Sequence, residues 1–202
     1  MFIYTADYKK VITFYNEKTQ LMQKIILKVT DENFNLDNYA DIECFALSSN
    51  LAESFLHKTI EKMQKNGKIS LIYGENSDIL CKKLLADGAI IDLSASEHIK
   101  KDFDSAKANA GKNKIFGIIT RSRRHEAMIA AECEPDFIIF KVWEDLSEKQ
   151  TELFDWYQEF FLIQNAADMC GEDVCKDIIN TDILIADEKK YKILVATKNF
   201  SE

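Results

Sequence analysis

Apolar residues in this 202-residue chain gather into short runs separated by longer polar stretches with helical patterning. The runs are DIECFAL (41–47), ISLIY (69–73), AIIDL (89–93), KIFGIIT (114–120), DFIIFKV (136–142), FLIQNA (161–166) and DILIA (182–186). Each is brief, apolar at consecutive positions and rich in β-branched or aromatic residues, as a strand buried on both faces requires. Their starts lie 20 to 28 residues apart, enough for one strand, one helix and two short connections. Helical patterning fills the gaps at 51–65, 77–86, 97–109, 122–133, 147–159 and 171–179. The segment 114–143 shows the unit most clearly. IFGII reads as a buried strand, and Ser122 is placed to cap the helix that follows. Ala127, Met128 and Ala131 share one helical face, and Pro135, the only proline, stops the helix before DFIIFKVW begins a second strand. A strand, a crossover helix and a second apolar strand form a βαβ unit with parallel strands.

Seven such strands need one more to close an eight-stranded barrel. Two segments offer it, IILKVT (25–30) and MFIYT (1–5), and the sequence leaves that choice open. About 200 residues is the lower end for a (β/α)8 barrel. The competing architecture, an open doubly wound sheet, usually carries a Gly-rich phosphate turn after its first strand, and none is present. The expectation is a single α/β domain over 1–202, a TIM-type barrel of parallel strands, with 1–40 its irregular part. Gly67, Gly88 and Gly111 each precede a strand and read as helix terminators.

Composition narrows the function classes. The formal net charge of −8 argues against a nucleic-acid or anionic-membrane surface, both of which call for a basic face. Residues 1–20 lack a signal-peptide core and no run approaches a membrane span, so a cytoplasmic location is expected. Five scattered cysteines (Cys44, Cys81, Cys133, Cys170, Cys175) read as free buried thiols. Cys170 and Cys175 lack further ligands at zinc-site spacing. A homodimer is compatible with the chain, whose sequence does not set its assembly.

In a parallel barrel the chemistry belongs at the C-terminal ends of the strands. Those positions are Ser48 and Ser49, Glu75, Asp92 with Glu97, Thr120 and Arg121, Lys141, Asp168, and Asp187 with Glu188. Glu75, Asp92 and Glu97 offer hard oxygen ligands for Mg²⁺, although in a chain with 34 acids the leading reading is solvated loop acids and a Glu favoured at a helix N-terminus. Thr120, Arg121 and Lys141 are candidates for a phosphate or other anion, and Arg123, Arg124 and His125 extend the only dense basic cluster. Lys141 sits between Phe140 and Val142, and if desolvated it suits Schiff-base chemistry as a catalytic amine. His57 and His98 have no partner at triad spacing, and Trp143, Trp156, Tyr157, Phe160 and Phe161 read as packing residues of core and rim.

Two blocks carry a family resemblance. GIITRSRRHEAMIAAECEPDFIIF resembles the G-V-S-T-H-S…E-A…A…G-A-D-Y-I stretch of thiamine-phosphate synthases and related thiazole tautomerases, and more closely variants reading S-R-H-D-A-M. LFDWYQEFFLIQNAADMCGEDVCKDIINTDILIA resembles their L…W-W…I-P-V-V-A-I-G-G-I…E-N-V…G-A-D-G-V-A-V stretch, and a weaker match covers 70–97. The resemblance implies a (β/α)8 barrel and a transferase that joins an aminopyrimidine diphosphate to a thiazole phosphate. It also implies Mg²⁺, held near Glu75 (or Asp78) and by Glu97, and a phosphorylated small-molecule partner.

The departures from the family pattern fall at its phosphate contacts. Residues 45–49 stand where the family has Q-L-R-x-K, Ile119 replaces the serine of G-V-S, and 141–145 replace a threonine-bearing loop. Ala167 and Asp168 replace a Gly-Gly pair, and Asp187 with Glu188 replaces the phosphate-binding turn after the eighth strand. Two like charges about 4 Å apart cost on the order of 4 kcal/mol at an effective dielectric of 20, so those carboxylates oppose a phosphate. Arg121 and Lys141 are then expected either to replace the lost phosphate contacts or to pair with Asp168 and Asp187. Three readings follow: a synthase-like protein with an altered site, a non-catalytic binding or regulatory barrel, and a Schiff-base enzyme using Lys141.

Overall fold

A computed structural model describes residues 24–143, 147–171 and 181–198. Eight parallel strands close into one barrel in chain order. They are β1 (Lys24–Val29), β2 (Cys44–Ser48), β3 (Ile69–Tyr73), β4 (Gly88–Asp92), β5 (Ile115–Thr120), β6 (Phe137–Val142), β7 (Gln164–Met169) and β8 (Ile183–Asp187). The helices are α1 (Glu53–Lys65), α2 (Ser77–Lys83), α3 (Ile99–Ala110), α4 (Arg124–Glu132), α5 (Glu148–Phe160) and α6 (Glu188–Lys198). A 3-10 turn, Leu36–Tyr39, joins β1 to β2. The TIM-type barrel expected from the sequence is therefore the fold. Of the two candidate first strands, the segment near 25–30 pairs with both β2 and β8. The other candidate, 1–5, and the expected helix at 171–179 lie outside the described residues, the latter apart from Gly171.

Alternation along each strand divides the core in two. Leu27, Phe45, Ile72, Ile118, Phe140 and Leu184 face the helices, while Ile26, Ala46, Leu71, Ile90, Ile139 and Ile185 fill the barrel. Following the pairing register around the closed sheet, alternate strands supply each interior layer. Ala46, Ile90, Ile139 and Ile185 form one such layer. Below it come Ile26, Leu71, Gly117 and Ala166, where the Phe137 ring fills the space that a side chain at Gly117 would need.

One polar device recurs at the base. Asp87, Asp136 and Asp182 stand just ahead of β4, β6 and β8, and each accepts a backbone N–H from the strand before. The donors are Ser70 at 2.8 Å, Phe116 at 2.7 Å and Asn165 at 3.0 Å. These bonds satisfy donors at strand starts that would otherwise be buried without partners.

Several local expectations are corrected. Helix α4 begins at Arg124, and its N-cap Arg123 makes no side-chain cap bond, so Ser122 does not cap it. Gly88 opens β4 itself; a Cβ there would lie 2.1 Å from the Ile115 carbonyl oxygen, so close strand approach explains this glycine. Gly67 and Gly111, at φ of +70° and +98°, do end helices. The seventh strand starts at Gln164, three residues beyond the expected 161. Phe161 leaves the sheet because its ring stacks on Tyr157 of α5 at 4.7 Å. The strand that results, QNAADM, has little intrinsic strand preference, and its position between β6 and β8 overrides propensity.

Candidate functional site at the barrel mouth

The two uppermost interior layers are polar except for Ile119. Lys28, Tyr73, Ile119 and Asp168 come from the odd strands, and above them Ser48, Asp92, Lys141 and Asp187 come from the even strands. Strand alternation therefore aims Ser48, Asp92, Lys141, Asp168 and Asp187 at the mouth, as expected. Thr120 is placed differently. It shares the outer face of β5 with Ile118 and is buried there, its hydroxyl unpaired among the described residues, whereas Ile119 faces the axis.

Asp92, Asp168 and Asp187 each have a cation. Lys28 Nζ lies 2.6 Å from Asp168, deep between β1 and β7, with the side chains 17% and 8% exposed. Burial works against the Lys28 charge, but the charge and hydrogen bond of Asp168 outweigh it and raise the ammonium above its ordinary value. The same ammonium lies 5.8 Å from the centre of the Tyr73 ring. Lys141 Nζ donates to Asp92 Oδ2 at 2.8 Å, and here the side chains are 31% and 40% exposed. Burial pushes the Asp92 carboxyl up, but the bonds from Lys141 and from the amide and hydroxyl of Ser94 hold it below the usual range. Asp187 accepts from the Lys190 amide at 2.9 Å and is paired with its ammonium. Its carboxyl is likewise held low by Lys190 against the effect of burial.

These pairings correct the expected partners. Arg121 and Lys141 do not bind Asp168 and Asp187, which Lys28 and Lys190 already hold. Arg121 Nε donates instead to the Ser94 carbonyl at 2.6 Å. Lys141, a third exposed and held by a carboxylate, is not in the desolvated setting that Schiff-base chemistry requires. Of the basic cluster, Arg123 lies 3.8 Å from Glu126 and Arg124 sits over the Trp156 ring at 5.3 Å, both away from the axis.

Asp187 also decides the character of the eighth-strand end. Helix α6 begins at the next residue, and Asp187 accepts the N–H of its first turn. Barrels often bind phosphate at such a position after strands seven and eight. Here the chain's own carboxylate occupies it. Glu188 faces elsewhere and accepts from the Tyr39 hydroxyl at 2.7 Å.

Glu75 is exposed and lines a cleft of about 480 Å³ beside the mouth, with Asn76, Asp78, Asp92, Asp102 and Asn109. Glu97 is exposed ahead of α3 and does not line that cleft. Among the described residues, no three His, Cys, Asp or Glu side chains gather as a metal-holding group. Cys44, Cys81, Cys133 and Cys170 are free; Cys175 lies outside the described residues. Burial pushes the Cys44 thiol up to about 12 and those of Cys81 and Cys170 up to about 11, so Cys170, beside Asp168, is no thiolate nucleophile at neutral pH.

Lys28 and Tyr73 are the site residues that sequence reading missed. Lys28 had a signal: it stands between Leu27 and Val29 as Lys141 stands between Phe140 and Val142. The signal was unreadable while the first strand had two candidates.

A titration prediction arises beside the mouth. Tyr39 donates to Glu188 and Tyr191 to Asp41, joining the β1–β2 connection to α6 and the ring of helices. Burial first, then these carboxylates, push both hydroxyls up to about 12 from an ordinary 10.0. A raised folded-state value means that the unfolded chain loses its proton first. This stability is therefore complete below pH 10 and is lost as pH rises toward about 12. The urea midpoint should fall across that window, and Tyr39→Phe should shallow the fall; equal slopes in both proteins would refute the assignment.

No family model matches the chain, and no curated protein matches it. Solved structures do. Thiamine phosphate pyrophosphorylase from Pyrococcus furiosus aligns over 86% of this chain and 96% of its own at 13% identity and TM-score 0.60. Tryptophan synthase from M. tuberculosis aligns over 86% of each chain at 9% identity and TM-score 0.59. A variant of the citrate synthase SbnG covers 89% of this chain and 93% of its own at 13% identity and TM-score 0.54. At these identities the shared property is the fold, and among the described residues no helix is long and apolar enough to cross a membrane.

Proposed function

We propose that this chain is a thiamine-phosphate-synthase-like transferase with an altered site, taking a phosphorylated small molecule in the β4–β6 sector of the mouth. The observation that carries this reading is the pair of cations Arg121 and Lys141. They stand at the ends of neighbouring strands, both reach solvent, and both are held at the end of β4, Lys141 by Asp92 and Arg121 by the Ser94 carbonyl just beyond it. The resemblance of 117–140 and 153–186 to the synthase blocks supports the reading, as does the barrel shared with a thiamine phosphate pyrophosphorylase along nearly its whole length. The β7–β8 sector contributes differently, since its cations are already neutralised by Asp168 and Asp187.

Mg²⁺ fits this sector as a partner of the phosphates. It is commonly bound by one or two carboxylates with substrate phosphates and water completing the shell, so a protein-only cage is unnecessary. Glu75, in the cleft beside the mouth with Asp78 and Asp92, would supply such a carboxylate. Glu97, the second acid the resemblance implies, stands outside that cleft ahead of α3, and an ion held by either would neutralise charge on a departing diphosphate. Arg121 and Lys141 would orient that diphosphate and stabilise its charge.

Calorimetric titration with thiazole phosphate and with inorganic pyrophosphate, with and without Mg²⁺, tests the reading. Micromolar-to-millimolar binding that Lys141→Ala weakens at least ~10-fold is expected, given the strength of charge-assisted phosphate contacts. A flat titration at millimolar ligand would end it. A second reading, a non-catalytic binding or regulatory barrel, draws on the Asp187 cap and the Lys28–Asp168 pair, which fill the other phosphate positions. Binding without coupling of the two substrates in a product assay would select it.

A further inference from the structure

Among the described residues the mouth holds three carboxylate–lysine pairs, and they are not equivalent. Lys28–Asp168 is enclosed, and Lys190 is buried against Asp187 within one turn of α6. Of the three, only Lys141–Asp92 has both members open to solvent. Asp92 is the fixed member, because Ser94 binds its Oδ1 through amide and hydroxyl at 3.0 and 2.6 Å while Lys141 takes Oδ2. Lys141 is the movable member, at the end of four flexible methylenes. The carbonyl of the same Ser94 holds Arg121. One short turn thus restrains two cations from the next two strands.

We infer that the 92–94 turn is a rest for two swinging cations, and that Asp92 selects the charge class of ligand: diphosphate-like polyanions displace it from Lys141, and singly phosphorylated anions do so poorly. This rests on the anion-binding reading proposed above. A tethered carboxylate competes at high effective concentration, so a ligand with one anionic group merely exchanges one exposed ion pair for another. A polyanion recruits Lys141 and Arg121 together, and the guanidinium fork suits two phosphoryl oxygens.

The test is titration of the whole protein with inorganic phosphate and with inorganic pyrophosphate, in buffer free of divalent cations. The wild-type protein should favour pyrophosphate by at least ~10-fold, since two cations engage it rather than one. Asp92→Asn should tighten both ligands ~3–10-fold, phosphate the more, and so narrow that preference. Ser94→Ala keeps the charge but removes one bond pinning it, and should shift affinity the same way by less; it carries the test if Asp92→Asn does not fold. Wild-type binding of pyrophosphate with unchanged or weaker binding in both variants overturns the inference and leaves the anion site standing. Absence of pyrophosphate binding in all three proteins overturns both.

Discussion

Lys28→Met is expected to destabilise the protein by about 3–5 kcal/mol, the usual cost of removing one partner from a buried ion pair. Asp168, 8% exposed beside Tyr73 and Cys170, would lose the cation that pairs with it. It would then have to ionise in a poor medium or bind a proton. The pair also spans the closing seam of the barrel, since β1 and β7 flank β8 on its two sides. Adding Asp168→Leu should recover most of the loss, because a well-packed apolar pair of similar volume often equals a buried ion pair in stability. Urea midpoints of the two single variants and the double variant give the coupling directly. A cost below about 1 kcal/mol for Lys28→Met, or additive single losses, would show that Lys28 is hydrated rather than paired.

Phe140→Ala should cost a similar amount, about 3–5 kcal/mol, through a different cause. Phe140 is 1% exposed on the outer face of β6. Its ring meets Phe154 and Tyr157 of α5 edge-on at 5.4 and 5.7 Å. Truncation therefore leaves a cavity and removes two aromatic contacts, each worth roughly 0.5–1.5 kcal/mol beyond area burial. The Tyr157 hydroxyl is buried without a partner among the described residues, a cost that the packing around its ring has to offset. Phe140→Leu should lose noticeably less, because most of the volume stays. A thermal midpoint in Phe140→Ala indistinguishable from wild type would mean that α5 does not depend on this contact.

The barrel was legible in the chain because its signal is local. Runs such as ISLIY at 69–73 coincide with β3, and the stride between runs left room for a helix each time. The outward or inward side of Lys141, Asp168 and Asp187 was legible for the same reason, since alternation along a strand assigns faces. Thr120 failed by the same rule: it sits one residue beyond Ile119, and one residue reverses the face. The 161–166 run failed because Phe161, Leu162 and Ile163 are apolar without being strand; α5 extends to Phe160 and claims the next ring. The three base aspartates were visible as acids ahead of apolar runs. Their role appeared only when each met an N–H of the preceding strand.

The sequence alone determined that parallel strands alternate with helices around a barrel, and that Lys141, Asp168 and Asp187 face its mouth; which segment is the first strand, and with it Lys28, it left open. The tertiary structure decided who meets whom there. Lys141 pairs with Asp92, 49 residues away and two strands over, and Lys28 with Asp168 at nearly the far end of the chain. Periodicity fixes the face of a strand but says nothing about height along the barrel axis. Height comes from the stagger between neighbouring strands, which closure imposes and which places alternate strands in one layer. That stagger gave Asp168 to a lysine of β1, gave Lys141 to an aspartate of β4, and left only the second pair open to solvent.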